Sequence, residues 1–259
     1  MTATGALEGR GLARRFGGVT AVSGVDVRIV PGRVTLVLGP NGAGKSTLVN
    51  CLTGVDQPSE GNVFLDGKDL TGKTSNRFAQ LGVARTFQHA RPFRGLTLAE
   101  NVMVGAHGRT RAGFVRGTLR TPFARREEAE LRQTASLLLA EVGLEGREAG
   151  SPNDLTLEEE RRLELARCLA GNPHILLLDE PAAGLGEDEA TALATLVRNL
   201  CVDHGLGVLL IEHHLELALS LSDSVLVLDF GKPIFEGTPT EARLDPAVRT
   251  AYIGAEGDQ

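Results

Sequence analysis

One short segment, residues 39–46, constrains this chain more than any other part of its sequence. It runs Gly39-Pro-Asn-Gly-Ala-Gly-Lys45-Ser46 and fits the pattern G-x-x-x-x-G-K-[S/T]. An apolar run, Val34 to Leu38, precedes it, and a helix-like stretch, Ser46 to Leu52, follows it. Such glycines let successive backbone amides turn inward around phosphate oxygens, and a following helix adds its positive dipole end. The segment therefore predicts a nucleotide phosphate site between a strand and a helix.

The same pattern assigns expected roles within the segment. Lys45 should bridge the β- and γ-phosphates, Ser46 should ligate Mg²⁺, and Thr47 should lie near the α-phosphate. The remaining phosphate-binding candidates are Asn41, Gly42, Ala43 and Gly44. A glycine turn with a solvated lysine is the structural alternative.

A second candidate for this site is the apolar run Ile175 to Leu178, which ends in Asp179 and Glu180. A buried strand would deliver Asp179 to the Mg²⁺ shell, and Glu180 could polarise an attacking water. Alone, such a run is common. Together with the phosphate segment it predicts an ATP-hydrolysing site, with a structural role for the two acids as the alternative.

Strand-sized apolar runs alternate with helical stretches in the second half of the chain, which predicts a parallel sheet with helices on its faces. The strand candidates are Ile175–Leu178 and Gly207–Ile211, and the helical ones are about Glu187–Val202 and His214–Ser222. Near the N-terminus, Leu12–Phe16 and Val25–Val30 suggest a small antiparallel edge sheet. From about residue 96 to 169 helical patterning takes over, as in Arg125–Val142 and Glu158–Ala170, which predicts a helical insertion.

Composition narrows the class further. The 259 residues hold 27 Lys and Arg against 33 Asp and Glu, a formal net charge of −6, which argues against generic nucleic-acid binding. Three separated cysteines suggest a reducing cytoplasm rather than a disulfide scaffold. We expect neither a membrane-spanning segment nor a signal peptide. The arginine-rich stretch 108–126 is either a solvated surface excursion or a contact with anionic lipid or a membrane partner.

Four motifs, GPNGAGKST, RTFQ, LLLDEPAAGL and LLIEH, occur in an order and spacing that resembles the nucleotide-binding subunits of ABC transporters. By that resemblance, Gln88 contacts Mg²⁺ or water beside the face that meets the membrane subunit. His213 is implied to contact the γ-phosphate. Phe16 stands where the family places an aromatic residue against adenine, and a core Phe in an edge sheet is the alternative.

The resemblance implies an α/β fold, with a P-loop NTPase core, an antiparallel β edge sheet and an inserted helical subdomain. The whole chain, 1–259, is then one ABC nucleotide-binding domain. Its core is expected at about 5–88 and 172–245, its helical subdomain at about 89–171 and its tail at about 246–259. ATP and Mg²⁺ are the implied cofactors, and separate membrane permease subunits are implied partners that meet the stretch Gln88–Arg94.

Within that superfamily the chain is most similar to the ATPase subunits of branched-chain amino acid importers. The residues that carry this likeness are RTFQHARPF, TPFARR, RRLELARCL and the tail GTPTEARLDPAVRTAYIG. The implied location is the cytoplasmic face of the membrane, with a solute-binding protein as an indirect partner. Related ATPases for urea, short amides or lipopolysaccharide share much of the pattern and remain alternatives.

One segment departs from the family. Where LSGGQ or LSYGQ is expected, the chain has Leu155, Thr156, Leu157, Glu158 and Glu159. A carboxylate about 4 Å from a phosphate would cost roughly 4 kcal/mol per unit charge at an effective dielectric near 20, and we expect nothing else in the motif to offset this. The run Thr156 to Glu159 also fits a capping box. We expect this helix start to be satisfied internally and no longer to bind ATP across a dimer, although weak residual function is an alternative.

This departure predicts an asymmetric partnership. A second, different ATPase subunit with an intact signature would complete the site formed by this chain's own P-loop. A nucleotide-binding scaffold with regulatory turnover is the main alternative to the enzyme. A soluble ABC protein acting on ribosomes or DNA is a lesser one, because such proteins usually carry tandem domains, long arms or basic stretches.

Overall fold

The computed structural model describes residues 5–86, 92–106, 122–212 and 215–256. In those ranges, every helix is either too short or too polar to cross a lipid bilayer. The chain forms two sheets with helices packed around them.

A six-stranded sheet forms the centre of the molecule. Five of its strands run parallel, and the last one pairs antiparallel with its neighbour at one edge. The order across the sheet is β10-β9-β3-β8-β7-β6, with strands β3 (Val34–Leu38), β6 (Val83–Arg85), β7 (Ile175–Asp179), β8 (Gly207–Ile211), β9 (Ser224–Asp229) and β10 (Lys232–Gly237). The carboxyl ends of β3, β7 and β8 therefore meet at one edge, where ligands bind in open α/β sheets.

A second, antiparallel sheet has the order β2-β1-β4-β5. Its strands are β1 (Leu7–Phe16), β2 (Val19–Ile29), β4 (Glu60–Leu65) and β5 (Lys68–Asp69). The hairpin of β1 and β2 contributes Leu7, Leu12 and Ile29 to a core shared with the central sheet.

Helices pack mainly around the central sheet. They are α1 (Lys45–Leu52), α2 (Ser75–Gln80), α3 (Leu98–Gly105), α4 (Pro122–Glu141), α5 (Leu157–Ala170), α6 (Glu187–Asp203), α7 (Leu215–Leu221), α8 (Pro239–Leu244) and α9 (Pro246–Glu256). A single 3₁₀ turn, Pro152–Asp154, leads into α5 through Leu155 and Thr156.

Alternate residues of the central strands point to opposite faces, and each face has its own core. In β7, Leu176 and Leu178 join the cluster that holds α3, α4, α5 and α6, whereas Ile175 and Leu177 join the cluster that holds α1 and the antiparallel sheet. This is the period of two that a strand buried on both sides requires. The helix α1 is thereby held between the two sheets.

The predicted fold class is confirmed, including the antiparallel sheet near the N-terminus and the helical stretch inserted before β7. The strands β1 and β2 are longer than expected, and β4 and β5 complete their sheet from a region where no strands were predicted. The helices α3 to α5 share one continuous core with the central sheet. The predicted domain boundaries stay a prediction.

Candidate nucleotide site

The phosphate-binding segment lies at the carboxyl end of β3 and leads into α1. Two of its glycines occupy positions where a side chain would clash. Gly39 has φ 146°, and a Cβ there would lie 2.2 Å from the carbonyl oxygen of Leu228. Gly44 has φ 97°, and a Cβ there would lie 2.2 Å from the carbonyl oxygen of Ala21. The loop can run this close to β9 and β2 only because both residues are glycine.

The start of α1 is open rather than capped. Gly44 is its N-cap residue and supplies no side-chain hydrogen bond, and the first turn of this described helix holds no acidic residue. The amides and the partial positive charge of the helix start are thus available to an external anion. Of the predicted phosphate-binding residues, Asn41, Gly42 and Ser46 are exposed, Gly44 and Thr47 are half-buried, and Ala43 and Lys45 are buried.

The Lys45 side chain folds back over the loop. Its Nζ donates hydrogen bonds to the carbonyl oxygens of Gly39 at 2.6 Å and Pro40 at 3.0 Å. Burial lowers the pKa of the Lys45 ammonium, while the carboxylates of Glu180 and Asp179 act in the opposite direction. The predicted lysine and the two predicted acids therefore share one electrostatic environment, although they come from distant parts of the sequence.

Asp179 ends β7 and is 4% exposed. Its Oδ2 accepts a hydrogen bond from Arg85 at 3.1 Å, whereas its buried Oδ1 has no hydrogen-bond partner among the described residues. Burial raises the pKa of the Asp179 carboxyl, and the Arg85 guanidinium opposes that shift. A buried carboxylate oxygen without a protein donor is the kind of atom that a bound cation satisfies. With the exposed hydroxyl of Ser46, it gives the oxygen donors that Mg²⁺ prefers.

Arg85 was not predicted as a site residue. It ends β6, beside β7, and one of its amino groups reaches the Oδ1 of Asn50 on α1 at 2.5 Å while the other reaches Asp179. The sequence motif RTFQ contains this arginine, but nothing in its local pattern indicates which acid it contacts.

Glu180 stands directly after the strand with φ 51°, in the left-handed region. Its backbone N–H donates to the carbonyl oxygen of Ile211 at 3.0 Å, which holds the turn against β8. A non-glycine residue in this region costs on the order of 1 kcal/mol or more. In this conformation Glu180 lies just beyond the edge of the sheet, half-buried, next to Asp179.

Phe16 lies at the end of β1 and is 45% exposed. The guanidinium carbon of Arg14 lies 4.5 Å from the centroid of its ring. The alternative of a core Phe is therefore wrong, since the side chain stands at the surface of the sheet. The following strand brings Ala21 against Gly44 of the phosphate loop, so this hairpin borders the nucleotide site.

Two predicted site residues, Gln88 and His213, lie outside the described residues, as does most of the arginine-rich stretch 108–126. Their described neighbours are well anchored. The N–H of Thr86 donates to Leu177 of β7 at 3.0 Å, and the buried Glu212 accepts from the N–H of Ala182 at 2.9 Å.

The altered signature segment forms the capped helix start that its sequence predicts. The Oγ1 of Thr156 accepts from the N–H of Glu159 at 3.3 Å, and the Glu159 side chain accepts from the N–H of Thr156 at 3.0 Å. Leu157 is 42% exposed, and Leu155 packs partly against the core. The capping box is therefore confirmed.

The carboxylates of Glu158 and Glu159 are paired with arginines from outside the five-residue segment, and the expected repulsion of a phosphate stays a prediction. Two guanidinium N–H groups of Arg162 donate to the Oε1 of Glu158, at 2.9 and 2.5 Å, and Arg147 forms an ion pair with Glu159. Arg162 is one helical turn beyond Glu158, just outside the five-residue motif, whereas Arg147 comes from the loop after α4. The negative charges are thus offset locally. Two backbone N–H groups of this helix start, those of Thr156 and Glu159, donate to its own side chains.

Comparison with known proteins identifies the family of this chain. The model of the ABC transporter family matches residues 22–183, from β2 through the phosphate loop and α5 to the residues after Glu180. The chain belongs to the ABC transporter family. A model described as the branched-chain amino acid ATP-binding cassette transporter matches residues 232–258.

Individual members of the ABC transporter family resemble the chain over nearly its whole length. The high-affinity branched-chain amino acid transport ATP-binding protein BraF of Pseudomonas aeruginosa is 43% identical, covering 96% of this chain and 97% of that protein. The corresponding LivG of Escherichia coli strain K12 is 41% identical, covering 94% and 96%. The crystal structure of the ADP conformation of an ABC transporter cassette is 30% identical, with a TM-score of 0.84 over 97% of this chain and 99% of that one. The recognition from sequence motifs is confirmed.

Proposed function

We propose that this ABC family chain is the ATP-hydrolysing subunit of an importer of branched-chain amino acids. The observation that carries the proposal is its likeness to BraF and LivG over nearly the full length of each protein. The match of residues 232–258 to a branched-chain transporter model adds independent support from the tail. Urea, short amides and lipopolysaccharide are the alternative cargo.

In the proposed reaction the β- and γ-phosphates of ATP lie against the amides of residues 41–47. Lys45 contributes its charge to the same phosphates, and the open start of α1 contributes its dipole. Binding at these groups costs little reorganisation, because the loop is already fixed by its close contacts with β2 and β9. Phe16 supplies an exposed ring for the adenine base.

Hydrolysis requires a water molecule in line with the γ-phosphate. Glu180 orients and polarises that water from the end of β7, and His213 contacts the γ-phosphate. Ser46, Asp179 and Gln88 would hold the Mg²⁺, which would supply positive charge to offset that of the phosphates. The residue types, and the unpartnered Oδ1 of Asp179, support this assignment.

A second and different ATPase subunit is the proposed partner. In the family the signature segment acts across a head-to-tail dimer, and here the helix start of α5 is capped by Thr156 and Glu159. A partner with an intact signature would complete the site built on this chain's Lys45 and Glu180. A homodimer would contain two altered sites.

The occupied start of α5 also favours one alternative, a nucleotide-binding scaffold or regulatory subunit with little hydrolysis of its own. The two functions differ in turnover within the assembled transporter. An enzyme loses transport when Glu180 is changed, whereas a scaffold keeps it.

The proposed location is the cytoplasmic face of the membrane, where the chain is peripheral and binds permease subunits through the stretch Gln88–Arg94. A solute-binding protein acts on the same transporter without touching this chain. No nucleic acid takes part.

Uptake of labelled solute tests the function. In cells that make this chain, its deletion should abolish uptake of labelled leucine, and the natural gene should restore it while a Glu180→Gln gene should not. Unlabelled isoleucine and valine should compete, and urea should not. Unchanged leucine uptake with lost uptake of urea or a short amide would reassign the cargo, and restoration by Glu180→Gln would favour the scaffold.

A further inference from the structure

We propose that Arg85 is a positioning residue, which holds the Asp179 carboxylate in the orientation that binds a nucleotide-associated divalent cation and ties it to helix α1. The inference rests on the proposed role of Asp179 as a metal ligand. It concerns Arg85 and Asn50, to which the sequence pattern assigned no role.

The contacts of Arg85 form a bridge between two parts of the site. One amino group donates to Asn50 Oδ1 at 2.5 Å, in the helix that begins with Lys45, and the other donates to Asp179 Oδ2 at 3.1 Å. The side chains of Arg85 and Asp179 are 12% and 2% exposed. Solvent therefore competes little with this bridge, and a planar guanidinium spans both acceptors at once.

The bridge matters because an Asp side chain has no strong preference of its own about its last torsion. Rotation of the carboxylate is broad and roughly two-fold, so something outside the side chain must decide which oxygen points where. Arg85 holds Oδ2 on the side of β6, and this leaves Oδ1 without a hydrogen-bond partner in the described part of the chain. Because Arg85 fixes Oδ2, the Oδ1 atom is left available to a cation.

Asn50 is itself fixed, which makes the bridge rigid. Its Nδ2 donates to Asp56 Oδ2 at 3.0 Å, so its oxygen is directed toward Arg85. The relay runs from the loop after α1, through Asn50 and Arg85, to Asp179. A carboxylate held by an outer residue in this way typically loses about 10-fold to 100-fold in metal affinity when that residue is removed.

The test measures binding of the cation rather than turnover. ATP affinity of the purified chain is measured with Mg²⁺ and with EDTA, and Mn²⁺ binding in the presence of ATP is followed by electron paramagnetic resonance. Arg85→Met should lower Mn²⁺ affinity by about tenfold and shrink the Mg²⁺ dependence of ATP binding, while affinity in EDTA stays near that of the natural chain.

Arg85→Lys separates orientation from charge. A lysine keeps the positive charge but cannot reach both acceptors with a planar fork, so it should behave like Arg85→Met. Arg198→Met is the matched control, because Arg198 also binds a carboxylate, that of Asp223 at 2.6 Å, away from the nucleotide site. It should leave the metal dependence unchanged.

The outcomes separate this inference from the proposed function. Natural metal dependence in folded Arg85→Met, or in Arg85→Lys, overturns the positioning role. If Arg85→Met does not fold, Arg85→Lys and Asn50→Leu carry the test, and natural metal dependence in either folded variant overturns the positioning role. Asp179→Asn provides the reference. If the natural chain shows no more metal dependence than Asp179→Asn, then the proposed metal site itself fails.

Discussion

Two helix starts in this protein, those of α1 and α5, are built in opposite ways. At α1, Gly44 offers no side-chain cap, and the first turn of that helix contains no acid. At α5, Thr156 and Glu159 cap each other, and three acids fill the first turn. The first start leaves its amides and its dipole to an external phosphate. The second pairs two of its backbone N–H groups, those of Thr156 and Glu159, with its own side chains and places its own acids at the positive end of the dipole.

The comparison also shows which physical effect separates the two ends. Charge alone does not, because Arg162 pairs with Glu158 and Arg147 pairs with Glu159. The side-chain caps do, since Thr156 and Glu159 occupy backbone N–H groups at the start of α5, whereas Gly44 supplies no such cap at α1. Residues 155–159 therefore form a capped helix start whose carboxylates at 158 and 159 are paired within the chain.

The largest effect is expected from removing the lysine at the open end. Lys45→Ala should lower ATP hydrolysis by about 100-fold or more, because a buried positive charge is lost from the phosphate loop. Turnover is measured in the transporter purified through a tag on this chain. Lys73→Ala, at an exposed position, is the control and should change nothing. Turnover within twofold of natural in Lys45→Ala would show that the α1 end does not bind the reacting phosphates.

A similar but more selective loss is expected at the end of β7. Glu180→Gln should reduce turnover by about 100-fold, because general-base groups typically contribute at least that much, yet leave ATP affinity near natural. The measurement pairs single-turnover hydrolysis with nucleotide binding, and Glu187→Gln, exposed at the start of α6, is the control. Equal losses of affinity and turnover would mean that Glu180 shapes the pocket instead.

Restoring the glycines and the glutamine of the family pattern in this segment should produce a moderate gain. Leu157→Gly, Glu158→Gly and Glu159→Gln together should raise ATP-driven dimerisation roughly tenfold, the change that about 1.4 kcal/mol of regained contact gives. Dimerisation is followed by analytical ultracentrifugation in the Glu180→Gln background. Glu160→Gln removes one acid and keeps the capping box. If it gives the same gain, negative charge and not the side-chain bulk of Leu157 and Glu158 closes this end, and if the triple change gives none, the contrast between the helix starts is wrong.

The smallest effect concerns stability alone. Thr156→Ala should reduce the free energy of unfolding by about 1 kcal/mol, the usual value of such a cap, with ATP affinity of the isolated chain unchanged. Thr238→Ala removes the equivalent cap of α8 and should cost about as much. A loss at Thr238 without one at Thr156 would show that the signature segment does not rely on its capping box.

Much of both helix starts could be predicted from sequence, because the patterns that define them are local. Each of these features can be recognised within a few consecutive residues: the phosphate loop, the buried strands β3 and β7, and the capping box of Thr156 and Glu159. The pair of Glu158 and Arg162 is also local, with the spacing of i and i+4 on a predicted helix.

The rest depends on contacts between distant residues. Arg85 and Asp179 are 94 positions apart, and Asn50 lies 35 positions from Arg85. The strands β5 and β6 have only two and three residues, so alternation over so few residues gives little signal. Only the fold brings these groups together.

Hydrolysis of Mg²⁺-ATP by the purified chain alone tests the central contrast most directly. The natural chain is compared with the variant carrying Leu157→Gly, Glu158→Gly and Glu159→Gln, and Lys45→Ala serves as the blank. The account predicts turnover near that of the blank for the natural chain and a clear gain in turnover for the triple variant. Turnover well above the blank in the natural chain, with no further gain in the triple variant, would contradict it.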